Sequence, residues 1–431
     1  MSWEAAGVVY LAVMALLLVG GVWIAVALGV VGVTGLLLVN PSLLAGIESV
    51  AWNTIESFIL TAVPLFLFMG AVIMNSGVSA RFYRGLSPWL ARVPGGLAQS
   101  NIVACSIFAA LCGSSVATAA AIGAIAIPEM RSRGYDMRVT TGTLAAGGTL
   151  GILIPPSIPF IIYGSTVGES VGRLFTAGVV PGVILTLAFM TFLAVQVWLR
   201  PDLVAAETGP VTWGVRLRGL LDLVPVVLLI FLVLGGIYAG VMTPTEAAGV
   251  GAAGALGVAA LYRGLTWPVL RQSLLETVRA NAMILFIVIG AQIMSFALVS
   301  AGIPRGVVAA ISGFSASRWL IFTFIVVMYL VLGCLVDALS LMLLTLPVVF
   351  PIVQAQGFDS VWFGVVLVIL LETGLITPPV GINLFVIQGM SGEPLGRVAA
   401  GSAPYVVLMI LAVVLLALFP GLALWLPARM F

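Results

Sequence analysis

The chain contains no lysine and no histidine, only three cysteines, and little charge of either sign: 17 arginines and 15 acidic residues among 431. Charged residues make up 7% where a soluble domain carries roughly a quarter, which excludes an ordinary globular protein in water. A net charge of +2 cannot furnish the basic face of a nucleic-acid binder. Disorder requires low hydrophobicity, whereas 62% of these residues are apolar. The class that remains is an all-α polytopic membrane protein, and at about 20 apolar residues per helical crossing the length allows roughly ten crossings. Cys105, Cys112 and Cys334 lie in apolar runs without CxxC spacing, so zinc, haem and disulfide frameworks are excluded and the three read as packing residues. The opening stretch Met1 to Asn40 has one charge, Glu4, and neither a basic n-region nor a small-residue cleavage site, and reads as a retained membrane segment.

Apolar stretches between polar breaks predict spans near 6–20, 22–39, 57–76, 138–168, 174–198, 221–241, 245–262, 280–301, 361–391 and 398–427. Two further segments, 97–130 and 317–350, are each interrupted by a small polar cluster: Gly113-Ser114-Ser115 in one, Gly333 to Asp337 with Ser340 in the other. The simplest construction for both is a re-entrant helical hairpin that turns at the cluster, its irregular backbone tolerable only where it faces protein or water. Ser79 to Pro94 and Trp267 to Arg279 mix arginines with Phe, Trp and Leu and read as interfacial amphipathic helices, with plain loops as the alternative.

An internal repeat emerges at an offset of 223 residues. Pro128 matches Pro351, Gly134 matches Gly357, Asp136 matches Asp359, Gly151 matches Gly374, and Pro155-Pro156 match Pro378-Pro379. One residue out of phase, GESVGR from Gly168 matches GEPLGR from Gly392, and GGVW at Gly20 echoes GGIY at Gly235. The chain therefore reads as two homologous halves, 1–200 and 219–431, joined by a cytoplasmic linker at 201–218. The first holds hairpin 97–130 and broken helix 138–168, the second hairpin 317–350 and broken helix 361–391.

Five crossings per half is odd, so the second half is expected upside down relative to the first. With both termini on the periplasmic side, 13 of the 17 arginines fall inside, leaving Arg173, Arg305, Arg318 and Arg429 outside, as the positive-inside rule demands. Inverted-topology repeats meeting at mid-membrane are a transporter architecture.

The sharpest local signals are the doubled prolines in GILIPPSIP (Gly151 to Pro159) and GLITPPVGIN (Gly374 to Asn383), each inside an apolar span. A Pro-Pro step breaks a helix and frees carbonyls such as those of Ile154 and Thr377. At bilayer depth such oxygens are costly unless a ligand such as sodium satisfies them, the alternative being a kink used only for packing. The hairpin tips offer further oxygens: Gly113-Ser114-Ser115 with Thr118, and Asp337 with Ser340, although small residues also suit close helix packing. Asp337 and Glu372 are the acids expected at membrane depth, where an ionisable group signals function by default. Asp337 is the stronger candidate for a sodium ligand or proton carrier; Glu372 reads equally well as a protonated hydrogen-bond donor. TPTE at Thr243 to Glu246 reads as a capping box.

In these motifs the chain resembles the large membrane (M, DctM-like) subunit of tripartite ATP-independent periplasmic (TRAP) transporters. The resemblance runs through TAVPLFLFMGAVI (Thr61 to Ile73), CGSSVATAAAIG (Cys112 to Gly123), IPEMRSRGY (Ile127 to Tyr135), GTLGILIPPSIPFIIYG (Gly148 to Gly164), TPTEAA and ETGLITPPVGIN (Glu372 to Asn383). It implies a sodium-coupled symporter of the ion-transporter superfamily, importing a small organic acid such as a C4-dicarboxylate by an elevator movement. It implies no enzyme activity and no cofactor beyond Na+ as coupling ion. Its partners would be a small four-helix (Q type) membrane subunit, expected as a separate polypeptide, and a soluble periplasmic (P type) substrate-binding protein, this chain itself being a multi-pass protein of the bacterial inner membrane.

Carried over by motif, the first sodium site would use Ser114, Ser115, Gly148, Gly151 and the Ile154 carbonyl, and the second Asp337, Ser340, Thr373 and Thr377. Substrate would lie near Ser115, Pro156, Ser157, Pro379 and Asn383, held by hairpin helix N-termini because no arginine is expected at that depth. The Gly-Ser-Ser tip stands where a Gly-Ser-Gly-like turn is expected, which leaves open whether Ser115 offers its hydroxyl or only its backbone. Competing readings are a stand-alone Na+ or H+ symporter or antiporter of the same fold, a channel, and a membrane enzyme using Asp337 and Glu372 as a carboxylate pair. The last lacks the GxGD step of an aspartyl protease.

Overall fold

A computed structural model describes residues 2–204, 212–313 and 317–431, which form helices and short connections with no strand among them. The first half runs α1 (Trp3–Val19), α2 (Ile24–Val39), α3 (Gly46–Ile55), α4 (Ala62–Asn75), α5 (Val78–Leu90), α6 (Leu97–Cys112), α7 (Ser115–Ser132), α8 (Met137–Thr149), α9 (Ile158–Val167) and α10 (Val171–Leu199). The second runs α11 (Trp213–Tyr238), α12 (Pro244–Leu261), α13 (Trp267–Ser300), α14 (Ile303–Gly313), α15 (Arg318–Gly333), α16 (Ala338–Ala355), α17 (Ser360–Leu375), α18 (Ile382–Ser391) and α19 (Leu395–Leu418). Among the described residues, six helical stretches are long and apolar enough to cross a membrane.

Several helices start where the sequence supplies an oxygen to cap them or stop where a glycine turns left-handed. Asp136 accepts from the Arg138 N–H at 2.6 Å to open α8, and Asp359 accepts from the Trp362 N–H at 2.9 Å to open α17. Gly134 and Gly357, just before them, have φ of 80° and 72°, and Gly168 and Gly392 end α9 and α18 at 78° and 71°. Asp136 and Asp359, and Gly134 and Gly357, matched at the 223-residue offset, thus carry the same local conformation, as do Gly168 and Gly392, matched one residue out of phase. The capping box stands at α12: the Glu246 N–H donates to Thr243 Oγ1 at 3.3 Å and the Thr243 N–H to Glu246 Oε2 at 2.8 Å.

Several expectations need correction. Trp267 to Arg279 is no separate interfacial helix but the first third of α13, 34 residues and about 51 Å long. Its arginines change the helix's environment without ending it, since Pro268 sits in the first turn where proline is tolerated. The last span ends at Leu418, ahead of Pro420, with two short helical turns, Gly421–Leu424 and Pro427–Met430, beyond it. Helices α3 and α14 fall where no span was expected. Of the expected linker, 205–211 lie outside the described residues, as does Met1, while 213–218 already belong to α11. The amphipathic reading of Ser79 to Pro94 corresponds to α5, which buries Phe82, Tyr83 and Leu86 and exposes Arg81 and Arg84.

Helix packing gathers two groups, which meet through α5 and α4 on α6 and through α13 on α16. In one, α2 lies along α13, α4 along α12 and α13, and α5 along α11. In the other, α8 packs on α6, α7 and α19, and α17 on α15, α16, α10 and α19. Charged residues tie hairpin bases to loops of the opposite half. Arg131 and Arg397 reach Glu393 at 3.3 and 3.1 Å, and Arg397 reaches Asp136 at 3.6 Å. At the other hairpin, the Ser360 hydroxyl donates to Glu169 and the Tyr163 hydroxyl to the Ser360 carbonyl at 2.7 Å.

Candidate functional site

The first hairpin turns because Gly113, at φ 58°, ends α6 left-handed and Ser114 restarts the chain as the cap of α7. Thr118 folds its hydroxyl back onto the Ser114 carbonyl at 2.8 Å. This tip meets the break that Pro155-Pro156 opens between α8 and α9; a Cβ on Gly113 would lie 3.1 Å from the Pro156 carbonyl oxygen. On the facing strand of backbone, a Cβ on Gly151 would lie 2.7 Å from the Gly148 carbonyl oxygen and 3.0 Å from both the Ser114 carbonyl oxygen and Thr118 Oγ1. The Ser115 carbonyl oxygen would stand 3.2 Å from a Cβ on Gly148. Two missing side chains therefore open a cradle of neutral oxygens, the donor chemistry a hard monovalent cation takes. Ile154 lies at the same break, its side chain against Gly182 of α10.

The second break follows α17. Thr373 and Thr377 send their hydroxyls back along the helix, to the carbonyls of Ile369 at 2.7 Å and Thr373 at 2.6 Å. Gly381, at φ 48°, faces the Thr377 and Leu375 carbonyl oxygens, 3.0 and 3.2 Å from where its Cβ would be. Gly374 presses on the end of α15, where a Cβ would lie 2.5 Å from the Gly333 carbonyl carbon and oxygen, and the Val380 N–H donates to the Cys334 carbonyl at 3.1 Å. Across this tip Asp337 caps α16, accepting from the Ser340 N–H at 3.0 Å, and the buried Ser340 hydroxyl finds no protein partner.

Both tips and both breaks open on one cavity of about 480 Å³. Its lining takes Gly113 to Val116 from the first tip, Asp337 to Leu339 from the second, Ile152, Ile158 and Pro159 from the first break, and Leu375 and Ile382 from the second. The remaining wall is Leu67 of α4 with Ala280, Met283, Ile284 and Ile287 of α13, so the cavity lies where the two helix groups meet. Of the five residues expected around substrate, Ser115 lines it. Pro156, Ser157 and Asn383 are buried behind the lining, with Ser157 engaged as the cap of α9, and Pro379 is exposed.

Sequence reasoning left Glu372 open and missed its partner. Glu372 and Asn383 are fully buried on either side of the second break, and both hold the Ser115 hydroxyl: it donates to Glu372 Oε2 at 2.9 Å and accepts from Asn383 Nδ2 at 2.8 Å. The question raised by the Gly-Ser-Ser tip is answered in part: this hydroxyl is engaged across the halves. The apolar contributions of α4 and α13 carried no sequence signal, since any lipid-facing helix looks the same.

The family model described as the DctM component of the tripartite ATP-independent periplasmic transporter matches residues 11–422. Among similar chains is the C4-dicarboxylate TRAP transporter large permease protein DctM of Pseudomonas aeruginosa, 35% identical, with 93% of each chain covered. The isethionate TRAP transporter permease protein DctMQ of Oleidesulfovibrio alaskensis is 32% identical over 95% of this chain and 64% of that one, and the 2,3-diketo-L-gulonate TRAP transporter large permease protein YiaN of Escherichia coli is 33% identical over 86% and 87%. The crystal structure of the Alcanivorax borkumensis YdaH transporter, described as having an unusual topology, superposes with a TM-score of 0.64 over 89% of both chains at 14% identity, a likeness of fold.

Proposed function

We propose that this chain, which belongs to the family of DctM components of TRAP transporters, imports a small organic acid, of which a C4-dicarboxylate is one candidate, in symport with sodium. It is a multi-pass inner-membrane transport protein and not an enzyme. Sodium would occupy the cradle at Gly148 and Gly151 and a second seat among Asp337, Ser340 and the oxygens of Thr373 and Thr377. The acid would enter the cavity between the tips, meeting the first turns of α7 and α16, whose free N–H groups favour an anion. A periplasmic binding protein would deliver it, and a small four-helix membrane subunit would complete the scaffold.

The observation that carries this reading is the convergence of both tips and both breaks on one cavity against α4 and α13. That placement supports an elevator in which the group holding the hairpins slides along the group holding α2, α4 and α13. The matched caps and glycines support two repeats, and the arginine distribution, 13 of 17 on one side, supports their inversion and both termini in the periplasm.

The test is uptake of radiolabelled succinate into liposomes holding the chain with its small subunit and binding protein. An inward sodium gradient drives accumulation and a proton gradient alone does not. Equal uptake without sodium removes the coupling.

A further inference from the structure

The Ser115 hydroxyl sits between two buried groups that belong to the other half of the chain. Glu372 is on the last turn of α17, Asn383 on the first turn of α18, and the Pro378-Pro379 break separates them. Asn383 Nδ2 also donates to the Ala145 carbonyl of α8 at 3.4 Å and stands 3.3 Å from where a Cβ on Gly148 would be, so it touches the first oxygen cradle without adding an oxygen to it. Glu372 Oε1 and Asn383 Oδ1 find no hydrogen-bond partner. Two polar side chains kept at full burial with half their capacity unused cost stability, and the contact they do make converges on one hydroxyl.

Resting on the sodium reading above, we propose that Glu372 and Asn383 are positioning residues of the first cation seat: they clamp Ser115 by its hydroxyl so that its carbonyl oxygen stays turned toward Gly148. A carbonyl at a helix start is free to tilt, and a cradle of neutral carbonyls binds well only when its oxygens are held in advance of the ion. The same clamp makes occupancy of the first seat depend on how α17 and α18 are arranged about the second break. A cation bound in one half therefore stiffens the other, and by reciprocity an ordered second break tightens the first seat.

Sodium alone is the probe. The purified chain, in an Asp337→Asn background that removes the carboxylate of the second seat, is melted across a sodium series at constant ionic strength with choline as replacement. Glu372→Ala and Asn383→Ala raise the half-saturating sodium concentration by roughly 10- to 100-fold, the usual effect of losing an outer-shell partner. Glu372→Gln, which keeps an acceptor for the Ser115 hydroxyl, stays within about threefold of the parent by the same reasoning. If Glu372→Ala fails to fold, Asn383→Ala, which loses two donated bonds and no acceptor on Ser115, carries the comparison. Variants that melt lower without sodium yet keep the parental half-saturation point are merely structural and overturn the proposal. So does Glu372→Gln behaving like Glu372→Ala. A parent that gains no stability from sodium, with Asp337 intact as well as replaced, overturns the sodium reading itself and this inference with it.

Discussion

Gly151→Ala fills the first cradle with one methyl group. The added Cβ would sit 2.7 Å from the Gly148 carbonyl oxygen and 3.0 Å from the Ser114 carbonyl oxygen and Thr118 Oγ1, well inside an ordinary contact of 3.4–4 Å. Two of these three atoms are backbone and cannot retreat without moving a tip or a break, so the overpacking should cost about 1–3 kcal/mol. The same methyl group would take the place of the proposed ion. In an Asp337→Asn background, which leaves the first seat alone, a parent bathed in sodium at a hundred times its dissociation constant should gain about 2.7 kcal/mol from binding, which the Gly151→Ala variant forfeits. The gap between parent and variant is therefore about 1–3 kcal/mol without sodium and about 4–6 kcal/mol in saturating sodium. Thermal unfolding in detergent, with sodium exchanged for choline at fixed ionic strength, reads both. Gly235→Ala serves as control: nothing lies within 4 Å of its Cβ, in the interior of α11, so it should keep the sodium response and gain up to about 1 kcal/mol of helix propensity. A Gly151→Ala protein with the parent's sodium-dependent rise would refute the cradle as a cation seat.

Gly374→Ala drives a Cβ to 2.5 Å from the Gly333 backbone, which has no rotamer with which to yield, so the loss should reach or pass the upper end of about 1–3 kcal/mol; an unchanged melting temperature counts against the close approach of α17 to α15. Asp337→Asn should cut sodium-driven uptake while the protein remains monodisperse, and an unchanged sodium dependence removes Asp337 from the second seat. Cysteines placed singly at Arg92 and Arg305 in a background without Cys105, Cys112 and Cys334 should react with a membrane-impermeant maleimide on opposite sides of the cell membrane, Arg305→Cys from outside; labelling of both from one side contradicts the inverted arrangement.

Punctuation in this chain is legible because it is local. Asp136 and Asp359 cap the helices after them, Gly134, Gly357, Gly168 and Gly392 take the left-handed turns, and Gly113-Ser114 turns the first hairpin, each decided within a few residues. The boundary between Trp267–Arg279 and the apolar run after it misled for an equally physical reason. Arginines and tryptophans report where water meets lipid, and a helix can cross that line unbroken when neither proline nor glycine falls near it, as in α13 between Pro268 and Gly290. Helix α14, 11 residues long with Pro304 and Arg305 in its first turn, falls below the length at which a span shows itself by hydrophobicity.

Facing is the harder property. Nothing local distinguishes a Glu372 that donates into a neighbouring helix from one that receives a hydroxyl, because its partner is 257 residues away in the chain. What the doubled prolines do announce is that each helix must open at that point. What the opening looks onto is settled by which small residue of the opposite element permits the approach. Gly148 and Gly151 let the first tip come within contact of the first break, Gly333 and Gly374 do the same for the second, and only then can one serine hydroxyl bridge the halves. The small residues that look like packing and the oxygens that look like chemistry are thus one device: close approach brings carbonyls together, and carbonyls brought together at bilayer depth require a cation or a donor to satisfy them.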